Sequence, residues 1–450
     1  WHMPGHIYSK LKRYHDSAWQ QEASARVDHA HMMRDRVLPD QIHNFAHNNE
    51  WLTRNLNHLG RANDAVALAR NMIELPRHPE YNSLAKPDAP TEYGKRGSAR
   101  YGRMRLLETL LRYEMWDEII SASQTVYLEK TTIPEEQAKR LAAVGMARYA
   151  LGQGEKGTEI LARLDELKQR LEDMKLEAGA KAGTDVLDGE KNDKEAEKAR
   201  TDAMKPFDGR IKTIDQYRAE LLACQAAADE DGDELKKQIA KAGKMSRERK
   251  SQLHLQVGNN EEAVKLASQP ARAEGQVQPL ANYADILWRS GRKKEAIEQF
   301  KKLREISAHL DIERAVFRRL APIAMKLGLP EDWRVEFKPA NDVGERPSLD
   351  TLGPFRWSPT HAPQWELTDG QGKKHTLTDY AGRPVIVIFY LGKGCAHCIE
   401  QLGTFAPETD RFRQAGIDLV AISTDDVNGL RETVQQNKTG SPFPFPLVSD

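Results

Sequence analysis

A chain of 450 residues has room for about three domains of ~150 residues each. Its 67 Lys+Arg residues balance its 67 Asp+Glu residues, which argues against a nucleic-acid-binding protein, because such proteins carry a net basic surface. No apolar run approaches the ~20 residues of a membrane-spanning helix, so we expect no membrane span. Because the chain begins at Trp1 and not at Met, we expect that residues are missing from its N-terminus.

From residue 1 to about residue 333, apolar residues recur at spacings of three and four, which predicts helices. A helix that ends in Gly-x-x-x-x-Ala and leads into a second amphipathic helix recurs along this part of the chain. The copies are residues 59–75, 257–267 and 290–303, with weaker ones at 11–25 and 151–164. These segments resemble tetratricopeptide repeats, which are helix pairs of about 34 residues that stack into a solenoid. The resemblance implies that residues 1–154 and 247–336 form helical-repeat domains that bind a protein partner.

Residues 155–246 interrupt the repeats with a highly charged segment that carries two apolar stripes. The first stripe is Ile160, Leu164, Leu167, Leu171 and Met174, and the second is Ile211, Ile214, Tyr217, Leu221 and Cys224. The four-three spacing predicts two long helices that pair as an antiparallel coiled-coil hairpin with a partly disordered tip. Its role is open between a solvated spacer and a partner-binding arm. Cys224 lies on the apolar face, where a buried and inert thiol is expected.

Several histidines cluster in the first fifty residues. His2 and His6 form one i,i+4 pair, and His43 and His47 form another, so each pair could share one side of a helix. His29 and His31 also lie close in sequence. Since no acidic or cysteine ligand joins them at a recognisable metal spacing, we interpret these histidines as ordinary surface or packing residues and expect no metal site.

After the repeats the pattern changes to that of an α/β domain. Residues 337–363 are rich in Pro and Gly without a helical period, which predicts an inter-domain linker. Within residues 364–450, an alternating stretch turns at Asp369 and Gly370, which predicts a hairpin. Residues 385–391 and 417–423 are apolar runs that predict fully buried strands, with a helix between them. This order predicts a parallel βαβ unit with a right-handed crossover.

The close cysteine pair falls where the first of these buried strands gives way to the helix. Three cysteines cannot form a disulfide framework, so Cys395 and Cys398 indicate redox or metal chemistry. The free amides and the dipole of the helix N-terminus favour a thiolate at Cys395, whose pKa should fall. Cys398 lies one turn further on and can close a disulfide. His397, when protonated, and Lys393 are expected to favour the thiolate further.

Residues 364–450 resemble the alkyl hydroperoxide reductase/thiol-specific antioxidant family, the peroxiredoxin-like branch of the thioredoxin fold. The resemblance rests on "LTDYAGRPVIVIFYLGKGCAHCIEQL", "AGIDLVAISTDD" and "SPFPFPLVSD". It implies further strands, a helix and a proline loop after Asp450, so we expect an incomplete domain. The predicted fold is therefore multidomain: an all-α helical-repeat solenoid with a coiled-coil hairpin insert, followed by a truncated α/β thioredoxin-like domain.

The resemblance leaves two assignments of the attacking cysteine. In the peroxiredoxins that this segment resembles, the cysteine that attacks peroxide is the last residue of a Thr-x-x-Cys motif. That position aligns with Cys398, and Cys395 then stands in the place of the Thr. In thioredoxin-like reductases the first cysteine of Cys-x-x-Cys attacks, which here is Cys395. Without the Thr, a peroxiredoxin-grade rate is in doubt, but Cys395 could still resolve a sulfenic acid on Cys398. Peroxide reduction and disulfide exchange therefore both remain open.

Two further function classes compete with the redox enzyme. The first is a non-catalytic interaction scaffold with a vestigial redoxin domain. The second is a structural zinc site, which is disfavoured because zinc needs four ligands and no second Cys-x-x-Cys exists. Both cysteines occupy the reactive position, so we favour the enzyme. Trp365, Phe389 and Tyr390 are expected to be packing residues.

The expected partners follow from the same motifs. No flavin or nicotinamide fingerprint is present, so we expect no cofactor and an external dithiol as the reductant. Protein partners are expected on the helical repeats, and no nucleic acid. A dithiol redoxin joined to repeats would suit a bacterial periplasm or another exported location, although a cytoplasmic antioxidant would carry the same motif.

Overall fold

The computed structural model describes residues 1–78, 97–189, 192–357, 361–436 and 442–450. The chain divides into two compact units, Trp1–Trp357 and Ser358–Asp450. The predicted order, a helical region followed by a small α/β domain, is confirmed. Among the described residues, no helix combines the length and the apolar character that crossing a bilayer would require.

The first unit is built from helices, named here in chain order. They are α1 (His2–Lys10), α2 (Tyr14–Asp35), α3 (His43–Leu59), α4 (Ala62–Glu74), α5 (Ser98–Arg112), α6 (Trp116–Ala122), α7 (Pro134–Ala150), α8 (Gly154–Asp188), α9 (Asp193–Ala228), α10 (Gly232–Lys241), α11 (Arg247–Gln256), α12 (Asn260–Ser268), α13 (Val277–Arg289), α14 (Lys293–Glu305), α15 (Ala315–Arg318) and α16 (Ala321–Lys326). The largest apolar core runs from α4 to Trp333.

Within the described ranges, α1 to α14 pack as seven consecutive helix pairs joined by the same kind of turn. Each turn contains one residue in the left-handed region, with φ between 55° and 82°. These residues are Lys12, Gly60, Glu114, Gly152, Glu230, Gly258 and Gly291. A left-handed residue ends the first helix and reverses the chain, which is why glycine recurs there. The predicted Gly-turn between paired helices is confirmed at four of these positions.

A small or apolar residue five positions after each turn is buried against the partner helix. Ala65, Ala263 and Ala296, which follow Gly60, Gly258 and Gly291, are all fully buried. A methyl side chain at this position lets the two helix axes approach closely, so the Gly-x-x-x-x-Ala pattern has a packing cause.

Helices α8 and α9 form a long antiparallel hairpin. Ion pairs join Lys168 to Asp215 at 2.8 Å and Lys175 to Asp208 at 2.6 Å, so the pairing register is constant along the hairpin. Towards its end, Gly183 packs so closely on Arg200 that a Cβ there would lie 2.2 Å from the guanidinium Nε. α8 is also the second helix of the fourth pair, and α9 is the first helix of the fifth pair.

The tip of the hairpin, which the composition predicted to be partly disordered, includes residues 190 and 191, and these lie outside the described residues. α8 continues to Asp188 and α9 begins at Asp193, so helix covers almost all of the charged stretch. Two features account for this. The glycines allow close packing between the helices, and Asn192 and Glu195 form a reciprocal capping box at the start of α9.

Residues 337–357, within the segment predicted as a linker, lie on helices of the first unit. The guanidinium of Arg346 pairs with the Asp16 carboxylate at 3.0 Å. The Asn71 side-chain amide donates to the Trp357 carbonyl at 2.8 Å. Gly353 lies so close to the Arg26 carbonyl that a Cβ there would be 2.0 Å from its oxygen. This segment therefore follows the helical surface up to Trp357, with one 3-10 turn at Leu349–Thr351.

The second unit contains a mixed five-stranded sheet in its described part. The strands are β1 (Glu366–Asp369), β2 (Lys374–Thr376), β3 (Val385–Phe389), β4 (Asp418–Ser423) and β5 (Leu447–Ser449), in the order β2-β1-β5-β4-β3. β1 pairs antiparallel with β2 and with β5, and β4 pairs parallel with β3 and with β5. The predicted hairpin is confirmed, with Leu367 opposite His375.

In the described part of this unit, three helices accompany the sheet: α17 (Ala396–Phe405), α18 (Thr409–Gln414) and α19 (Val427–Gln435). The segment from β3 through α17 to β4 is the predicted parallel βαβ unit, with Val387 opposite Val420. Leu402 of α17 and Leu430 of α19 are buried in one apolar cluster with Ile388 of β3. α17 and α19 therefore pack on the same face of the sheet, and a short loop, residues 390–395, joins β3 to α17.

The prediction that residues 385–391 are a fully buried strand is wrong. Ile388 and Tyr390 are buried, but Phe389 is 76% exposed and Leu391 is 83% exposed. These two side chains are exposed because β3 is an edge strand of the described sheet. Its last residues extend past the apolar cluster that Val385 and Val387 pack against. The expected packing role is therefore wrong for Phe389, whereas Tyr390 and Trp365 do pack against their clusters.

Candidate active site

Cys395 is the N-cap of α17, after the short loop of residues 390–394 that follows β3. Its Sγ accepts a hydrogen bond from the backbone amide of Cys398 at 3.2 Å. This is the contact that an N-cap side chain makes with the third residue of a helix, and sulfur takes the part usually played by a hydroxyl or carboxylate oxygen. The local sequence thus places one sulfur directly at the positive end of the α17 dipole.

The two sulfurs are joined in a disulfide across the first turn of α17. The Cα atoms of Cys395 and Cys398 are 5.2 Å apart, within the range that a disulfide spans. Both residues are half-buried, and Cys398 packs against the apolar cluster that contains Leu402. The pair can therefore be reached from solvent and is held by a rigid element on one side.

The two expected tuning residues have different surroundings. The His397 side chain is 98% exposed, and its Nδ1 lies 3.9 Å from a Glu400 carboxylate oxygen. The Lys393 ammonium lies 2.8 Å from the Glu432 carboxylate. A hydrogen bond to Glu432 raises the pKa of Lys393, with smaller contributions from nearby aspartates. The positive charge of Lys393 is thus largely matched by an acidic neighbour.

Asp425, which the sequence did not single out, anchors the loop before Cys395. It follows β4, and its Oδ2 accepts a hydrogen bond from the Lys393 backbone amide at 2.8 Å. Gly392 has φ +101°, and a Cβ there would lie 2.5 Å from Asp425 Oδ1, so only glycine fits at this close approach. The available signal was the pair of acids directly after a buried strand, in "AISTDD".

Tyr390 is the first residue of the same loop, directly after β3. Its ring is 6% exposed and belongs to the apolar cluster with Ile388 and Leu402. Burial raises the pKa of Tyr390, while the hydroxyls of Ser423 and Thr433 oppose the shift. The tyrosine therefore stays neutral at physiological pH, and its ring fixes the start of the loop in the apolar cluster.

The third cysteine is remote from this chemistry. Cys224 lies on α9 in the first unit, is free, and is buried in the large apolar core. Burial raises the pKa of its thiol. The predicted burial of Cys224 is confirmed, and the candidate site therefore rests on Cys395 and Cys398 alone.

Comparison with known proteins agrees with this architecture. Residues 359–450 match the AhpC/TSA family. Over 89 residues the chain is 34% identical to "Peroxiredoxin Q, chloroplastic" of Oryza sativa subsp. japonica, covering 20% of this chain and 39% of that protein. It is 32% identical over 88 residues to the protein of the same name from Gentiana triflora, again covering 20% of this chain and 39% of that protein.

The chain spans less than half of the length of these relatives. The family match lies in the second unit, where the parallel β3–α17–β4 segment includes a cysteine pair at a helix N-terminus. Residues 359–450 of this chain are therefore an AhpC/TSA-family domain, of the peroxiredoxin-like thioredoxin fold, preceded by a unit of paired helices.

Proposed function

We propose that the protein is a thiol-dependent oxidoreductase in which Cys395 and Cys398 cycle between dithiol and disulfide. One observation carries the proposal: the two sulfurs bridge the first turn of a helix that follows a parallel strand, inside an AhpC/TSA domain. A disulfide of this kind closes without movement of the backbone, so both redox states are compatible with the same fold. The electrons are returned by an external dithiol.

The first candidate reaction is peroxide reduction, supported by the peroxiredoxin names of the relatives. The Cys398 thiolate attacks one peroxide oxygen, the O–O bond breaks, and the departing alkoxide takes a proton to leave as an alcohol. Cys398 is oxidised to a sulfenic acid. The Cys395 thiolate then attacks that sulfur, the S–O bond breaks, and the departing hydroxide takes a proton to leave as water as the disulfide forms.

The second candidate is exchange with a protein disulfide, favoured by the N-cap position of Cys395. There the Cys395 thiolate attacks a substrate sulfur, the substrate S–S bond breaks, and one substrate thiolate leaves. The Cys398 thiolate then attacks Cys395 and releases the second substrate thiol. The substrate is reduced by two electrons, and the Cys395–Cys398 pair is oxidised by two.

His397 and Lys393 are proposed to favour the thiolate, with a modest effect. Exposed charges are screened by water and salt, and His397 points into solvent. The positive charge of Lys393 is offset by the Glu432 carboxylate, which reduces its effect on the thiolate. The larger effect in this proposal comes from the helix N-terminus and its amide hydrogen bond.

The helical unit is proposed to serve as a protein-interaction scaffold of tetratricopeptide type. Seven helix pairs with one recurrent turn support this, because stacked pairs present extended concave surfaces. The alternative is a scaffold whose redoxin domain has lost activity. The presence of both cysteines at the reactive turn supports an active domain instead.

Stopped-flow thiol titration tests the proposal and separates the two reactions. The reduced protein is mixed with one equivalent of hydrogen peroxide, or with a model disulfide, for wild type, Cys395→Ser and Cys398→Ser. Cys224→Ser serves as the matched control, since its loss should leave both reactions unchanged. A peroxidase retains rapid peroxide-dependent thiol loss in Cys395→Ser, with a trappable sulfenic acid on Cys398.

A disulfide oxidoreductase gives the opposite pattern. It shows slow thiol loss with peroxide in all variants and rapid exchange with the model disulfide that is lost in Cys395→Ser. If the folded wild-type protein reacts in neither assay, the enzyme hypothesis is overturned and the scaffold hypothesis remains.

A further inference from the structure

Three histidines from two helices meet with their ring nitrogens together near the start of the first unit. His2 and His6 lie one turn apart on α1, and His47 comes from α3. The Nε2 atoms of His2 and His6 are 3.2 Å apart, and those of His6 and His47 are 3.4 Å apart. All three ligand nitrogens lie within 4.8 Å of one another. The three residues are half-buried and can be reached from solvent.

Two of the contacts converge on one atom that cannot satisfy both by hydrogen bonding. A neutral imidazole nitrogen has a single in-plane position, which holds either a proton or a lone pair. His6 Nε2 can therefore make one good hydrogen bond, to His2 or to His47, while the other contact brings two nitrogens together without benefit. A cation placed between the rings would accept a lone pair from each of them.

The nitrogen separations fit tetrahedral coordination. Zn–N bonds of about 2.0–2.1 Å at the tetrahedral angle place two ligand nitrogens about 3.4 Å apart. The 3.2 Å and 3.4 Å separations at His6 match that value. The His2–His47 edge lies within the same 4.8 Å limit, which a small side-chain rotation can shorten.

The hydrogen bonds behind His2 orient it as a ligand. Asn48, which is fully buried, donates its Nδ2 protons to Ser24 Oγ at 2.7 Å and to Asp28 Oδ2 at 2.9 Å. Its Oδ1 therefore faces His2 Nδ1, at 2.7 Å, and must accept. The proton of neutral His2 is consequently on Nδ1, and the lone pair is on Nε2, towards His6. Metal-binding histidines are commonly oriented by such a partner on the other ring nitrogen.

The helix that carries two of the ligands is held firmly in place. Gly5 of α1 lies so close to α2 that a Cβ would be 2.4 Å from Gln21 Nε2, and Ser17 Oγ donates to the Gly5 carbonyl at 2.7 Å. The Trp51 ring packs edge-on against His6, with centroids 4.3 Å apart.

We propose that His2, His6 and His47 bind a divalent transition-metal ion, with Zn²⁺ the first choice. Three imidazole nitrogens suit Zn²⁺, Co²⁺, Ni²⁺ or Cu²⁺ and not Mg²⁺ or Ca²⁺, which prefer oxygen ligands. Three protein ligands leave the fourth tetrahedral position to water or to a group of a partner. The sequence alone, which favoured ordinary surface or packing residues, did not bring these three histidines together, because His47 comes from a different helix.

The other histidines near this region have different partners. His29 Nδ1 lies 3.1 Å from the Pro354 carbonyl, and His31 pairs with Asp35. The His43 ring lies 5.7 Å from the His47 ring, measured between centroids. His31 is therefore the matched control for a histidine change on this face, and His43→Ala reports whether His43 and His47 form an alternative site as an i,i+4 pair.

Calorimetric titration with ZnCl₂ on chelator-treated protein tests the site. The Cys395→Ser/Cys398→Ser background is used so that the thiol pair cannot bind zinc, and the amino terminus is blocked so that the α-amine is not a ligand. Losing an outer-shell partner alone typically costs about 10–100-fold in metal affinity, so we expect His6→Ala and His47→Ala to weaken binding by about 100-fold or more. His31→Ala and His43→Ala should bind one Zn²⁺ as the parent does.

Cobalt substitution gives a second readout. Co²⁺ in the parent should show the intense visible absorption of a tetrahedral site, and His6→Gln, checked for folding by far-UV circular dichroism, should lose it. The proposal is overturned if the parent binds no stoichiometric Zn²⁺, or if folded His6→Ala and His47→Ala bind it as tightly as the parent. Equal losses in His43→Ala and His47→Ala, with His6→Ala unaffected, would also overturn it.

Discussion

The carboxylate of Asp425 accepts a hydrogen bond from the backbone amide of Lys393, with 2.8 Å between the two atoms. This contact joins the loop after β4 to the loop that leads into Cys395. Ser423 Oγ lies 3.4 Å from the same oxygen, and Gly392 passes directly above it. The position of the candidate redox turn therefore depends on an acidic residue 32 positions further along the chain.

Asp425→Ala should loosen this turn. The Lys393 amide would lose its charged acceptor, and hydrogen bonds to charged groups contribute about 1.5–3 kcal/mol. We expect faster hydrogen exchange at the amides of residues 390–395, with an opening free energy lower by about that amount. The rate of Cys395–Cys398 disulfide formation should fall as well.

Asp425→Asn is the matched variant, because its side-chain oxygen can still accept from the Lys393 amide. It should retain most of the exchange protection. Equal protection in wild type and Asp425→Ala would show that the contact does not hold the loop.

Glu220 should make the first unit less stable as the pH rises. Its side chain is 2% exposed, and burial raises its pKa to about 8, against the opposing charges of Lys250 and Lys244. Between the ordinary value of 4.5 and about 8, the folded chain keeps a proton that the unfolded chain has lost. The free energy of unfolding should then fall by about 1.4 kcal/mol per pH unit within that window.

Glu220→Gln removes this dependence, since the amide does not titrate. Urea unfolding at pH 5 and pH 8.5 measures it. We expect the variant to be more stable than wild type by a margin that grows with pH, by about 1 kcal/mol or more. A stability difference that stays constant across the two pH values would contradict the buried, protonated carboxyl group.

Gly258→Ala should destabilise the turn between α11 and α12. Gly258 has φ +78°, and a Cβ there would meet nothing within 4 Å, so the cost is backbone strain alone. The left-handed conformation costs an L-residue about 1–2 kcal/mol, and we expect the free energy of unfolding to fall by about 1 kcal/mol.

Gly209→Ala provides the contrast. Gly209 also has open space around its Cβ position, but it lies within α9 in ordinary helical conformation. Alanine is a better helix former than glycine by about 1 kcal/mol, so this variant should be more stable than wild type. If both substitutions change the free energy of unfolding in the same direction in urea titrations, left-handed backbone strain is not the cause.

Much of this protein follows from short stretches of sequence. Gly60, Gly258 and Gly291 mark turns between helices, because the left-handed backbone that reverses the chain favours glycine. The hairpin at Asp369 and the β3–α17–β4 order could be predicted for the same reason, since turns and periodicity act over a few residues. The placement of Cys395 at a helix N-terminus is equally local.

The tertiary structure alone decided which residues distant in sequence come into contact and which strand lies at the edge of the sheet. His47 joins His2 and His6 only because α3 packs beside α1, and i,i+4 spacing says nothing about which helices become neighbours. Asp425 reaches Lys393 only because β4 pairs with β3. Phe389 is exposed because β3 lies at the edge of the described sheet, and an apolar run does not reveal whether another strand will cover it. Sequence patterns specify each element and its apolar face, whereas the contacts between faces depend on the packing of the whole chain.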